Sequence, residues 1–317
     1  MDGFRIPIGR WIESVVDVMG DVLGGLFDVI AAVLAATYGG LEWALRTPPF
    51  WVIILVLAAV AYAARGAKLA IGTAIGLLVI VAVDQWDNAM DTLALVIVAA
   101  LAAVVIAIPL GIWAARSDRV SRIVRPLLDF LQTMPAFVYL IPAIIFFGVG
   151  AVPGMIATIM FAVAPGVRLT ELGIRGVDSE VVEAGFAFGA SPGRVLRQIQ
   201  IPLALPSIMA GINQVIMLSL SMVVIAGMVG AGGLGGEIVR AIGRINVGLG
   251  FEAGLSVVMI AMILDRITSA FGAPRRRPRI RQGKDRASSS LAGRAETPRV
   301  THNDQSAHST RMERTSR

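Results

Sequence analysis

Phe137 and Tyr139 stand between Pro135 and Pro142 within an uncharged stretch of the sequence. Proline lacks a backbone donor, so inside an apolar span it frees carbonyls that must be satisfied by protein or by a water-lined cavity. The two rings between these prolines can offer aromatic faces to an organic cation, worth about 0.5–2 kcal/mol per ring. Packing against neighbouring helices is the competing use. Asn213, Met217 and Ser221 recur every four residues and so share one helix face, with Gln214 beside them. Polar groups are costly in hydrocarbon, which obliges this stripe to face other helices or water, as pathway lining or as interhelical hydrogen bonding.

Other chemistry is scarce. The sequence has no cysteine, and its two histidines, His302 and His308, lie near the C-terminus. Thiolate or imidazole catalysis and cysteine-ligated metals are therefore excluded from the apolar body, and no metal site is expected. An intramembrane hydrolase would need a nucleophile with a base, and neither Cys nor His is available. Gly230-Ala231-Gly232-Gly233-Leu234-Gly235 fits G-x-G-x-x-G, but an apolar span precedes it where a dinucleotide site needs a strand. The single Gly-Lys pair, Gly283-Lys284, is followed by Asp285, so there is no P-loop. Neither catalysis nor a bound cofactor is expected of this chain.

The elements that must position these residues are membrane helices. Of 317 residues 56% are hydrophobic and 16% charged, and the mean hydropathy is +0.75, far from the roughly one-quarter charged make-up of a soluble domain. The net charge of +6 is concentrated in residues 274–317, where 12 Lys and Arg face 4 Asp and Glu; the rest of the chain nets −2. That tail is polar and basic, which predicts a disordered segment attracted to anionic headgroups rather than a nucleic-acid site. Apolar runs and their breaks predict seven spans, near 50–64, 68–83, 90–114, 127–148, 154–172, 203–229 and 250–271. Residues 29–41 are apolar for only 13 positions, short of the ~20 needed to cross a ~30 Å core, so residues 11–46 read as helical and interfacial. Three alternate loops hold ten Lys and Arg, from Arg65 to Arg197, against Arg240 and Arg244 in the others. Basic loops stay on the cytoplasmic side, which places the N-terminus outside and loop 173–202 and the tail inside.

Within that loop Val181, Ala184, Gly185 and Phe188 recur at i, i+3, i+4 and i+7, giving a short helix with a small-residue face from which Glu183 points away. Gly189 ends it, and Ser191-Pro192 starts a second short helix running to about Gln200. Periodicity alone fits an ordinary amphipathic loop equally well. Glu183-Ala184-Gly185, Gly189 and Ile199-Gln200-Ile201-Pro202 resemble the EAA loop of ABC importer permeases, with Gly185 and Ile201 as departures from the usual Ala and Leu. Residues 125–129, 132–142 and 222–235 are similar to the glycine betaine/proline betaine permeases of the quaternary-amine uptake group. The resemblance covers about residues 10–271.

That resemblance implies an all-α integral membrane protein of the type I importer fold in the cell membrane. Its parts would be a segment 1–46, two short spans in 47–87, a permease core 88–271 and the tail 272–317. It further implies a homodimer, a separate ATPase that binds ATP and magnesium and docks on the EAA loop, and an external substrate-binding protein. Carriage of a betaine- or choline-type osmolyte by alternating access follows from the same likeness. An ion-coupled secondary transporter is the alternative. It would need charged relays, yet 92–115, 130–167 and 198–236 contain no Asp, Glu, Lys, Arg or His.

Overall fold

The computed structural model describes residues 8–272, and every regular element among them is helical. At the centre, α4 (Trp86–Arg116) crosses α7 (Ala151–Arg175), and α10 (Ile201–Ser221) packs on both. Small residues make this close: Ala99, Ala103 and Ala107 on α4 and Ala157, Ala162 and Ala164 on α7 are buried. A β-carbon on Gly166 would come within 2.7 Å of Ala107. Membrane helices gain no hydrophobic drive from meeting one another, so close backbone approach supplies the attraction.

The seven expected segments are helical, but four boundaries differ from the sequence reading. First, α1 (Ile8–Arg46) is one helix of 39 residues lying against α4, and its Val16–Arg46 stretch is long and apolar enough to cross a membrane. Counting only the uncharged run 29–41 underestimated it. Asp28 is exposed, and Glu42 is held by Arg46 one turn on, so neither charge interrupts the helix.

Second, α2 (Phe50–Arg65) and α3 (Ala67–Ala82) have 16 residues each, about 24 Å, and fall short of spanning length. They pack on each other and on α13 (Val247–Gly272), where Gly76 of α3 meets Ile263. Third, 127–148 is not one span. α5 (Asp118–Thr133) is amphipathic, and the chain turns by 100° into the apolar α6 (Ala136–Phe147). Pro135 dictates the break, because the residue before a proline is driven out of helical geometry, and Met134 has ψ 138°.

Fourth, the last loop helix and the sixth span are continuous. α9 (Pro192–Val195), a π segment (Leu196–Gln200), α10 and, after Met222, α11 (Val223–Met228) form one apolar path from Pro192 to Met228. Pro202 cannot donate to the carbonyl four residues back, and the π turn just before it absorbs the mismatch. Among the described residues five helices are thus long and apolar enough to cross, six when α5–α6 counts as a bent span. The amphipathic α12 (Gly233–Arg244) leads into α13. The expected disordered basic tail over 272–317 lies outside the described residues apart from Gly272.

Candidate functional site

The loop after α7 folds on itself. α8 (Ser179–Ala187) begins at Asp178, whose side chain accepts a hydrogen bond from the Glu180 amide at 2.9 Å. It ends as expected at Gly189, which adopts φ +78°, and the Ala190 amide donates to the Gly185 carbonyl at 3.2 Å, closing the helix end. Pro192 opens α9, although the Ser191 side chain makes no capping bond.

The expected four-residue face divides into two. Gly185 turns inward and is buried, and a β-carbon there would lie 2.6 Å from the Ile199 Cδ1, which would have to shift, and 3.4 Å from Val195. Val181, Ala184 and Phe188 remain exposed, Phe188 at 93%. Glu183 is exposed beside a cleft of about 530 Å³ shared with Arg116, Arg175 and Gln200. Pro202 is exposed, and Gly189 has open space around it. Of the six loop residues singled out, Gly185 and Ile199 hold the loop together, while Glu183, Ala184 and Gly189 lie on its outer surface.

The pathway candidates do not converge within this chain. Tyr139 is 2% exposed, packed among Leu140, Ala157, Met222 and Val229, and its hydroxyl has no partner. Phe137 is exposed on another side of α6. Asn213 faces α13: its Nδ2 donates to Asp265 Oδ1 at 3.3 Å, and its Oδ1 accepts from Thr268 Oγ1 at 2.7 Å. Met217 and Ser221 are exposed, and the Ser221 hydroxyl is spent on the Met217 carbonyl at 3.0 Å.

Sequence reasoning missed an ionic cluster at the loop end of α7. The buried Glu171 receives Ser121 Oγ at 2.7 Å and Arg125 Nη2 at 2.8 Å, with Arg175 Nε at 3.1 Å. Arg175 also reaches Asp118 at 2.7 Å and the Ala114 carbonyl at 2.8 Å, and Arg168 pairs with Asp129. The hydrogen bond from Arg175 holds the Asp118 carboxyl below the usual carboxylate range. The legible signal was Glu171 four residues before Arg175, a spacing that pairs charges along a helix.

The glycine string 230–235 serves backbone contact. A β-carbon on Gly235 would collide with the Val223 carbonyl, and the Leu234 amide donates to Thr92 Oγ1 at 2.8 Å, binding α12 to α4 and α11.

Residues 107–276 match the family described as binding-protein-dependent transport system inner membrane component. The glycine betaine/carnitine transport permease protein GbuB of Listeria monocytogenes is 47% identical over 84% of this chain and 95% of that protein. The glycine betaine/proline betaine transport system permease protein ProW of Escherichia coli is 45% identical over 84% of this chain and 75% of its own length. The glycine betaine transport system permease protein OpuAB of Bacillus subtilis is 46% identical over 83% and 94%. An inward facing structure of the MetNI methionine ABC transporter shares the fold, with a TM-score of 0.54 at 20% identity over 58% of this chain and 93% of that one. With this bundle, its self-folded loop and these relatives, the chain belongs to the binding-protein-dependent transport system inner membrane components, the permeases of ABC importers.

Proposed function

We propose that this permease carries small quaternary-ammonium osmolytes of the glycine betaine, proline betaine or carnitine type inward across the membrane, powered by ATP on a separate subunit. The observation that carries the reading is the coupling loop: Gly185 and Ile199 fold it into a compact unit whose outer face, Val181, Ala184 and Phe188, is uncovered. A small apolar patch with one projecting ring suits docking in a groove of an ATPase, because aromatic anchors carry much of the energy of such contacts. The substrate class is carried over from the relatives' names at 45–47% identity.

In this reading two copies of the chain form the pathway, and an external binding protein delivers the substrate. ATP and magnesium act on the ATPase, and its closure pushes α8 and alternates access between the two sides. Tyr139 and the outward Met217 and Ser221 would line the pathway between the copies. The basic loops support α8 and the tail inside. With α1 and the bent α5–α6 both crossing, the spans number six, so the N-terminus would lie inside as well, not outside as the seven-span count gave. The test is uptake of labelled glycine betaine by vesicles holding permease, ATPase and binding protein, with ATP on the α8 side. Uptake should require ATP and be lost in Ala184→Asp; ATP-independent uptake driven by an ion gradient would overturn the reading.

A further inference from the structure

We propose that Glu171 is a positioning residue that makes α5 follow the coupling helix, so that motion of α8 reaches α6 and Tyr139. The inference rests on the importer reading and adds a transmission joint to it.

Glu171 is 3% exposed, yet it is a carboxylate. Such a group leaves water only if charges and donors replace its hydration, and here three groups do: Ser121 and Arg125 from α5 and Arg175 from its own helix. Arg175 is the last residue of α7. Its planar fork engages Glu171, Asp118 at the start of α5 and the Ala114 carbonyl at the end of α4, which fixes direction as well as attraction. Three residues separate Arg175 from α8, so a displacement of the coupling helix arrives first at this joint.

Beside this cluster α5 is held on the bundle by Val124 and Leu128, which pack with Ala107, Val163 and Val167, and by the Arg168–Asp129 pair. Its buried side chains are Ser121, Val124 and Leu128, while Ile123, Leu127 and Phe130 are exposed. Adhesion alone would be served by apolar residues. A buried carboxylate with an arginine on each side instead fixes the register in which α5 meets α7. From Thr133 the chain turns 100° into α6, which carries Tyr139. The cluster therefore stands between the docking loop, three residues of main chain away, and α5, whose far end turns into the helix that carries the buried ring.

The test uses the complete complex of permease, ATPase and binding protein in vesicles and reads substrate transported per ATP hydrolysed. In Glu171→Gln the assembled complex and its ATP hydrolysis should persist within about twofold of the parent, while uptake falls tenfold or more. Arg125→Ala, at a side chain largely in solvent, should lower the same ratio and guards against a folding failure at Glu171. In a Ser121→Cys/Glu171→Cys pair, bridging the thiols with a short bifunctional thiosulfonate should restore uptake severalfold, and reduction should abolish it again. Parallel loss of hydrolysis and uptake in both single variants, full uptake in either one, or a bridged protein as inactive as the reduced one would each overturn the proposal. Loss of all ATP-driven uptake in the unmodified protein would instead strike at the importer reading itself.

Discussion

Gly185 lies directly beneath Ile199, close enough that any side chain on Gly185 must displace the isoleucine Cδ1. The contact joins α8 to the π segment that leads into α10. The Ile199 tip is flexible, so Gly185→Ala should be tolerated, with ATPase co-purification reduced less than about threefold. Gly185→Leu should separate the two short helices and reduce it more than tenfold, because overpacking a close contact costs about 1–3 kcal/mol or more.

The outward residues of α8 should behave in the opposite way. Ala184→Asp and Phe188→Ala leave the loop's own packing intact, and thermal stability of the isolated permease should stay within about 2 °C. Burying an unpaired carboxylate in the partner's groove costs several kcal/mol, about a hundredfold or more in affinity. Loss of Phe188 should weaken docking at least tenfold. Titration of labelled ATPase onto reconstituted permease measures both.

Asn213 now carries a different expectation from that of a pathway residue. It holds Asp265 and Thr268 of α13, and Asn213→Leu would leave both without their partner on α10. The expected result is a loss of about 1–3 kcal/mol in stability and less folded protein in the membrane, with uptake falling in proportion. Quantitative blotting beside uptake separates this from a loss of transport at normal protein levels.

Tyr139 has a buried hydroxyl with no partner, so Tyr139→Phe should leave the amount and melting temperature of the permease unchanged or slightly raised. As a pathway residue Tyr139→Phe should lower uptake severalfold, read from kinetics at saturating and limiting glycine betaine.

Orientation can be tested in the cysteine-free background. Ser179 is exposed at the start of α8, and Gly243 has open space around it on α12. In intact cells an impermeant maleimide should label Gly243→Cys and spare Ser179→Cys until the membrane is permeabilised.

The sequence made the helical character and the loop readable because both rest on local pattern: uncharged runs, a period near 3.6 and glycine at a helix end. The lengths of α1 and α5 were less readable. Asp28 and Glu42 look like boundaries in a one-dimensional count, although a charge on an exposed helix face interrupts nothing. Pro135 was read as lying inside one span over 127–148, because the 100° turn at it depends on what α5 and α6 each pack against. The division of the Val181–Phe188 face likewise depends on where the second short helix lies. Glu171 escaped attention because its partners Ser121 and Arg125 are about fifty residues away, a separation no helical period reveals.

The contact of Gly235 with the Val223 carbonyl bears on tempo. Along that seam α11 and α12 meet largely main chain to main chain, Gly227 against Gly235 and Gly235 against the Val223 carbonyl. A passage opened there needs whole helices to part, a collective event of microseconds to milliseconds rather than a nanosecond rotamer flip. A solute small enough to slip past a rotating side chain would find no such shortcut, so the seam resists leakage even when thermal motion is vigorous.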